Sequence, residues 1–153
     1  MPQLDEIDQR LFDVAVAQAQ EGLDEGGVPI GGALAVGDEL LGAGRNRRLQ
    51  WGSAIRHGET DALEQAGRFP ASTYRRATMY TTLSPCHMCS GAILLYGIPR
   101  VVVGENDTFL GAEDLLRSHG VEVIVVDDER CRDLMRRFIA AQPDVWNEDI
   151  GEV

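Results

Sequence analysis

The sequence predicts an α/β fold, a three-layer α/β/α sandwich around a mixed five-stranded sheet opened by an antiparallel hairpin. Three observations lead there. Helical and strand patterns alternate along the chain. Gly37-Asp38 separates two strand patterns at the spacing of a tight hairpin. Two short, almost continuously apolar runs near the end read as buried parallel strands.

Leu4, Ile7, Leu11, Val14 and Ala15 recur at helical spacing, which predicts a first helix over roughly residues 4–24, stopped by Gly26-Gly27. The hairpin strands are Ile30–Val36 and Glu39–Gly44. His57–Ala66 reads as a helix ending at Gly67, and Thr78–Leu83, rich in Thr, Tyr and Met, as a strand. Ser84-Pro85 launches a helix to about Tyr96. Arg100–Gly104 and Val121–Val126 are the two apolar runs, joined by a helical crossover. From Asp128 onward, Cys131, Leu134, Met135, Phe138 and Ile139 form one apolar face of a last helix.

A length of 153 residues, at about 150 per domain, predicts one domain, 1–153, large enough to need no disulfide framework. No apolar run approaches the ~18 residues of a membrane span, and the acidic N-terminal stretch lacks the basic start of a signal peptide. A cytoplasmic protein with no membrane partner is expected. A net charge of −11 repels polyphosphate backbones, so no nucleic-acid partner is expected either. All fourteen basic residues are arginine, which removes Schiff-base chemistry. Three cysteines in a reducing compartment suit metal ligation or packing better than disulfides.

His57-Gly58-Glu59 and, 29 residues after His57, Pro85-Cys86-His87-Met88-Cys89 supply one imidazole and two thiols. Three protein ligands with a fourth position left for water are the pattern of a catalytic zinc, and a closed structural site needs a fourth Cys or His. Cys86 and Cys89 share one face at a helix start, where unpaired backbone N–H groups favour thiolates. Glu59, two residues beyond His57, need not bind metal; it stands where a carboxylate takes a proton from the water that zinc activates. A non-catalytic metal clip and a redox-active Cys86/Cys89 pair are the competing readings; the redox pair leaves His57 and Glu59 unexplained.

Several residues read as structural. Cys131 packs as a small hydrophobe, and His87 and His119 lie at the surface. Arg45, Arg47 and Arg48 form a salt-bridged or solvated loop, whereas Trp51 is equally suited to line a pocket or to anchor an interface.

The order H-x-E…P-C-x-x-C resembles the signature of zinc deaminases acting on nucleobases. HGETDALEQAGR at 57–68 and TLSPCHMCSGAILLYGIPRVVVGEN at 82–106 resemble the cytidine and deoxycytidylate deaminase superfamily. GRNRRLQWGSA at 44–54 and DDERCRDLMRRFIAAQPDVWNEDIGE at 127–152 resemble its yeast-type cytosine deaminases. The resemblance implies the cytidine deaminase-like fold, one zinc per chain on His57, Cys86 and Cys89, and Glu59 as proton shuttle. It further implies that Asn46 hydrogen-bonds the pyrimidine, Gly58 N–H meets the base carbonyl, the Ser84 carbonyl faces the leaving amine and Asp149 accepts from the exocyclic amino group. Phe109 and Trp146 would close over the base, with residues 143–153 as a C-terminal lid, in a homodimer serving pyrimidine salvage. Two departures stand out. Leu49 replaces a phenylalanine, which would change ring packing, and Thr60-Asp61 replaces an Ile-Ser pair, which either alters a helix face or adds a carboxylate near the pocket.

The expected reaction is hydrolysis of cytosine to uracil and ammonia. The alternatives are deamination of another free base or small cyclic amidine, a tRNA adenosine deaminase, and a zinc-stabilised binding protein without turnover.

Overall fold

A computed structural model describes residues 3–152, so residues 1, 2 and 153 of the expected domain and lid lie outside the described residues. The chain runs α1 (Glu6–Asp24), β1 (Gly31–Val36), β2 (Glu39–Arg45), α2 (Arg48–Trp51), α3 (Gly58–Ala66), α4 (Ala71–Tyr74), β3 (Ala77–Leu83), α5 (His87–Tyr96), β4 (Arg100–Glu105), α6 (Glu113–Ser118), β5 (Glu122–Val125), α7 (Glu129–Ala141) and α8 (Pro143–Asp149). Among the described residues, no helix is long and apolar enough to cross a membrane.

The strands order β2-β1-β3-β4-β5 in one sheet. β1 is antiparallel to β2 and β3, whereas β3, β4 and β5 run parallel. This is the mixed sheet the sequence predicts, with Gly37 at φ 58° supplying the left-handed hairpin turn.

Strand alternation sends side chains to two faces. Ala33, Ala35, Tyr80 and Val102 meet Leu11, Phe12 and Ala15 of α1 and Cys131 of α7. Leu34, Met79, Val101 and Val103 meet Ile93 of α5 and Leu116 of α6. Each fully buried Leu, Ile, Val or Phe side chain contributes roughly 1.5–3 kcal/mol of transfer free energy, so the two faces hold the three layers together. Asp5 caps α1 by accepting from the Asp8 N–H at 2.8 Å, and Asp128 caps α7 by accepting from the Arg130 N–H at 2.8 Å. Asp8 also accepts from the Tyr80 hydroxyl at 2.6 Å and from both terminal nitrogens of Arg100 at 2.8 and 2.6 Å, pinning α1 across β3 and β4.

A third cluster, Val28, Ile30, Leu83, Met135, Phe138 and Trp146, closes the carboxyl end of β3. It docks α8, formed by the stretch that acidic composition alone would leave as a solvated tail. β5 departs from the buried strand read from its apolar run: it is the edge strand and only half-buried, with Arg100 reaching Glu122 at 3.1 Å. The four-residue helices α2 and α4 are too short to show a period.

Candidate active site

Two helix starts converge where β3 ends. His57 is the N-cap of α3 and Cys86 the N-cap of α5, positions that usually carry Ser, Thr, Asp or Asn. Thr60 seats the first of them: its hydroxyl accepts from the His57 N–H at 2.9 Å and donates to the Ile55 carbonyl at 2.5 Å.

His57 Nδ1 lies 3.5 Å from Cys86 Sγ and 3.6 Å from Cys89 Sγ, and the three donor atoms all lie within 4.8 Å of one another. A tetrahedral zinc with Zn–S about 2.3 Å and Zn–N about 2.0 Å requires an S···N separation of about 3.5 Å. The donor set therefore fits zinc in both chemistry and spacing. The hydrogen bond from Cys89 holds the Cys86 thiol down to about 4, with burial opposing and His57 assisting.

Glu59 points into the same place and is buried. Removal from water pushes its carboxyl up to about 7, against the lowering effect of His57. Such a group gains and loses a proton near neutral pH, as acid-base chemistry requires.

A cavity of about 370 Å³ opens beside these groups, within the size range of small-molecule sites. His57, Glu59, Ser84, Cys86, Phe109, Trp146 and Asp149 all line it. Phe109 and Trp146 meet edge to face with centroids 6.4 Å apart, and Trp146 is only 6% exposed. Ile30, Leu83 and Ile150 also line the cavity. The sequence disguised the first two as ordinary strand-flanking core residues.

Asn46 and Gly58 stand behind this lining. The Asn46 N–H donates to the Ile30 carbonyl at 2.9 Å, and Gly58 packs so tightly that an added Cβ would come 3.1 Å from the same carbonyl oxygen. Asn46 Oδ1 accepts from the Arg48 N–H at 3.1 Å, while its Nδ2 is buried without a hydrogen-bond partner among the described residues. An unpaired buried donor costs about 1–3 kcal/mol, which a bound acceptor would relieve. The Ser84 hydroxyl donates to Glu113 Oε2 at 2.6 Å and accepts from the Gly111 N–H at 2.9 Å. Gly111 is required there, because a Cβ would lie 2.0 Å from the Pro85 carbonyl oxygen. Buried Glu113, which no motif marks, thus holds Ser84 and, through Asn106 Nδ2 at 3.3 Å, the loop carrying Phe109.

The two departures have structural answers. Leu49 is 43% exposed and lines a separate shallow hollow with Val145 and Glu148, so it does not pack on a ring in the main cavity. Asp61 adds no carboxylate to the cavity: it is fully buried and accepts from the Arg45 N–H at 2.9 Å, Arg47 Nε at 2.9 Å and Arg56 Nη1 at 2.7 Å. Trp51 does not line the cavity either. It is 55% exposed, with the Arg47 and Arg56 guanidinium carbons 4.6 and 4.7 Å from its ring centroid. His87 is exposed but reaches the cavity rim, closer to the site than its surface reading implied. A larger hollow of about 990 Å³ lies between α3, α4 and α5, and none of the three donors lines it.

The family described as the cytidine and deoxycytidylate deaminase zinc-binding region matches residues 5–105. A cytosine deaminase from Candida albicans is 56% identical over 146 residues, covering 95% of this chain and 97% of that protein. A tRNA-specific adenosine deaminase 2 from Xenopus laevis is 31% identical over 129 residues, covering 79% of this chain and 74% of that protein. Among solved structures, a guanine deaminase from Nitrosomonas europaea has a TM-score of 0.69 at 20% identity, over 92% of this chain and 88% of that chain, a likeness of fold.

Proposed function

Because the chain belongs to the cytidine and deoxycytidylate deaminase family, we propose that it hydrolyses free cytosine to uracil and ammonia, the activity named in its Candida albicans relative. One observation carries the reading: His57, Cys86 and Cys89 converge at zinc spacing with Glu59 in a cavity of about 370 Å³ that Trp146 and Phe109 cover.

His57 Nδ1 and the two sulfurs would hold the zinc. When bound, zinc supplies a Lewis acid that makes water a nucleophile at neutral pH. Glu59 would take one proton from the attacking water at its carboxylate and deliver it to ring N3 so that C4 becomes electrophilic; as the water oxygen bonds to C4 and the C4–N bond breaks, it would relay the water's second proton to the departing amine. Asn46 Nδ2, without a partner among the described residues, donates to the ring, and the Gly58 N–H donates to the base carbonyl. The Ser84 carbonyl and an Asp149 carboxylate oxygen accept from the exocyclic amino group. Phe109 and Trp146 exclude water, and we read residues 143–153 as the lid of a single-domain enzyme.

Leu49 lies outside the cavity, which removes the argument for a reshaped pocket and hence for a different free base or cyclic amidine. A net charge of −11 argues against the tRNA substrate named in the Xenopus laevis relative and against any nucleic-acid partner. The buried acid-base group Glu59 argues for turnover over passive binding.

We further infer a cytoplasmic homodimer acting in pyrimidine salvage. Ligand thiols need a reducing compartment. The outer hollow, bordered by exposed Ile55, Leu95 and Tyr96, offers an apolar surface of the kind a second copy covers. Light scattering of the eluting protein reads the oligomeric state.

The reaction is tested by product identification. Zinc-loaded protein incubated with cytosine should yield uracil and ammonia in equal amounts, and the appearance of neither would overturn the reading.

A further inference from the structure

Arg48 opens α2 and hydrogen-bonds two groups, Asn46 behind the cavity lining and Asp149 in it. Its main-chain N–H donates to Asn46 Oδ1 at 3.1 Å, which fixes that amide with Nδ2 as its free donor. Its guanidinium Nη1 donates to Asp149 Oδ1 at 2.5 Å, and Nη1 and Nη2 reach the Glu148 carboxylate at 3.4 and 3.3 Å. Nε is anchored on the Ala54 carbonyl at 3.2 Å. Asp149 is nearly buried, with 5% of its side chain exposed, and Arg48 keeps 18%.

The placement of the two acids makes a cation necessary. Glu148 and Asp149 sit in the last turn of α8, where the helix's unpaired carbonyls already carry negative charge, so two carboxylates there repel both each other and the helix end. Arg48 is the group that answers them. It is also a sequence neighbour of Asn46, so the segment that orients the ring donor latches the helix carrying Trp146.

We propose that Arg48 is a positioning residue that couples Asn46 to Asp149, so that lid docking and alignment of the two base-reading groups are one event. This rests on the cytosine reading above, in which Asn46 and Asp149 contact the base. Arg48 touches neither substrate nor metal; it acts through Asp149, whose bound oxygen sets the direction in which the other faces the cavity.

The test uses Arg48→Met, which keeps the stem, and Arg48→Lys, which restores a charge without the fork, in a Trp51→Phe background so that Trp146 alone emits. Losing a charge-assisted hydrogen bond predicts a KM for cytosine raised about tenfold or more in Arg48→Met, with zinc content unchanged and kcat altered less than KM. Trp146 emission in the base-free protein should shift to the red as the lid loosens, and Arg48→Lys should recover part of both effects. Should Arg48→Met fail to fold, Arg48→Lys is read alone and should show a smaller rise in KM and a smaller red shift of Trp146 against the parent. Unchanged KM and emission in Arg48→Met, or in Arg48→Lys where that variant is the one read, overturns the coupling. Absence of cytosine turnover in the parent protein overturns the proposed reaction instead, and Trp146 emission still reads the latch.

Discussion

The Asp61 carboxylate receives Arg47 Nε at 2.9 Å while being itself fully buried. Arg56 and the Arg45 N–H complete its shell, so one carboxylate joins α3, the end of β2 and the loop that precedes His57. Trp51, with both guanidinium carbons within 4.7 Å of its ring centroid, lies over this joint.

Asp61→Ala would leave two partly buried arginines and a main-chain donor without an acceptor. Breaking a buried ion pair from one side costs about 3–5 kcal/mol, or about 10 °C in melting temperature for a chain of this size. Calorimetry should show that loss, while kcat of the folded fraction stays within about threefold of the parent, because Asp61 does not face the cavity. A melting temperature unchanged to within about 2 °C would contradict the role assigned to it.

Acid should weaken the fold through Asp8 and Asp61. The Arg100 hydrogen bond holds Asp8 below its ordinary 3.8, with burial opposing and Tyr80 assisting. Burial pushes Asp61 up, but Arg47, the Arg45 N–H and Arg56 outweigh it and hold it below 3.8 as well. Depressed carboxyl pKa values add stability that is fully present above the unfolded value and lost as pH falls through the folded one. Melting temperature should therefore fall from about pH 4 downward, and an Asp8→Asn/Asp61→Asn double variant, less stable at neutral pH, should show a shallower fall. An equal slope in parent and variant would contradict this.

Glu59→Gln keeps the size and burial of the side chain and removes its proton chemistry. Turnover should drop by about 10³-fold or more while zinc content and cytosine binding persist. Near-normal turnover would require another proton carrier, and Asp61, held by three donors, is not available for it.

Purified protein should carry one zinc per chain, and a Cys86→Ser/Cys89→Ser variant should carry none. Elemental analysis decides it, and equal zinc in both would remove the site. Chelation should also lower the melting temperature, since zinc binds the folded chain preferentially.

The metal ligands were legible in the sequence because they are local: two short motifs, each at a helix start, carry the whole donor set. The sheet was legible for the same reason, since the hairpin, the apolar runs and the amphipathic helices are patterns within about twenty residues. Ile30 and Leu83 were not, because a strand residue facing a cavity is chemically the same as one facing a core. Arg48 was lost among three clustered arginines, and its partner Asp149 lies 101 residues away. For Asp61 the sequence left both a changed helix face and a carboxylate near the pocket open until the fold brought three donors to it. Trp146 and Ile150, two bulky apolar residues set among acids, mark the tail as one that docks, since a solvated end has no use for either. That α8 is a helix became visible only in the fold.

The central claim is that this cavity admits a free pyrimidine base and shuts over it. The most direct measurement is the ratio of kcat/KM for cytosine to that for cytidine, followed by ammonia release from zinc-loaded protein. With Trp146 and Phe109 shut over the base as proposed, a ribose on N1 would need the space those rings take, so the account predicts ready deamination of cytosine and cytidine turnover lower by about 10³-fold or more. Comparable values for the two substrates would contradict it.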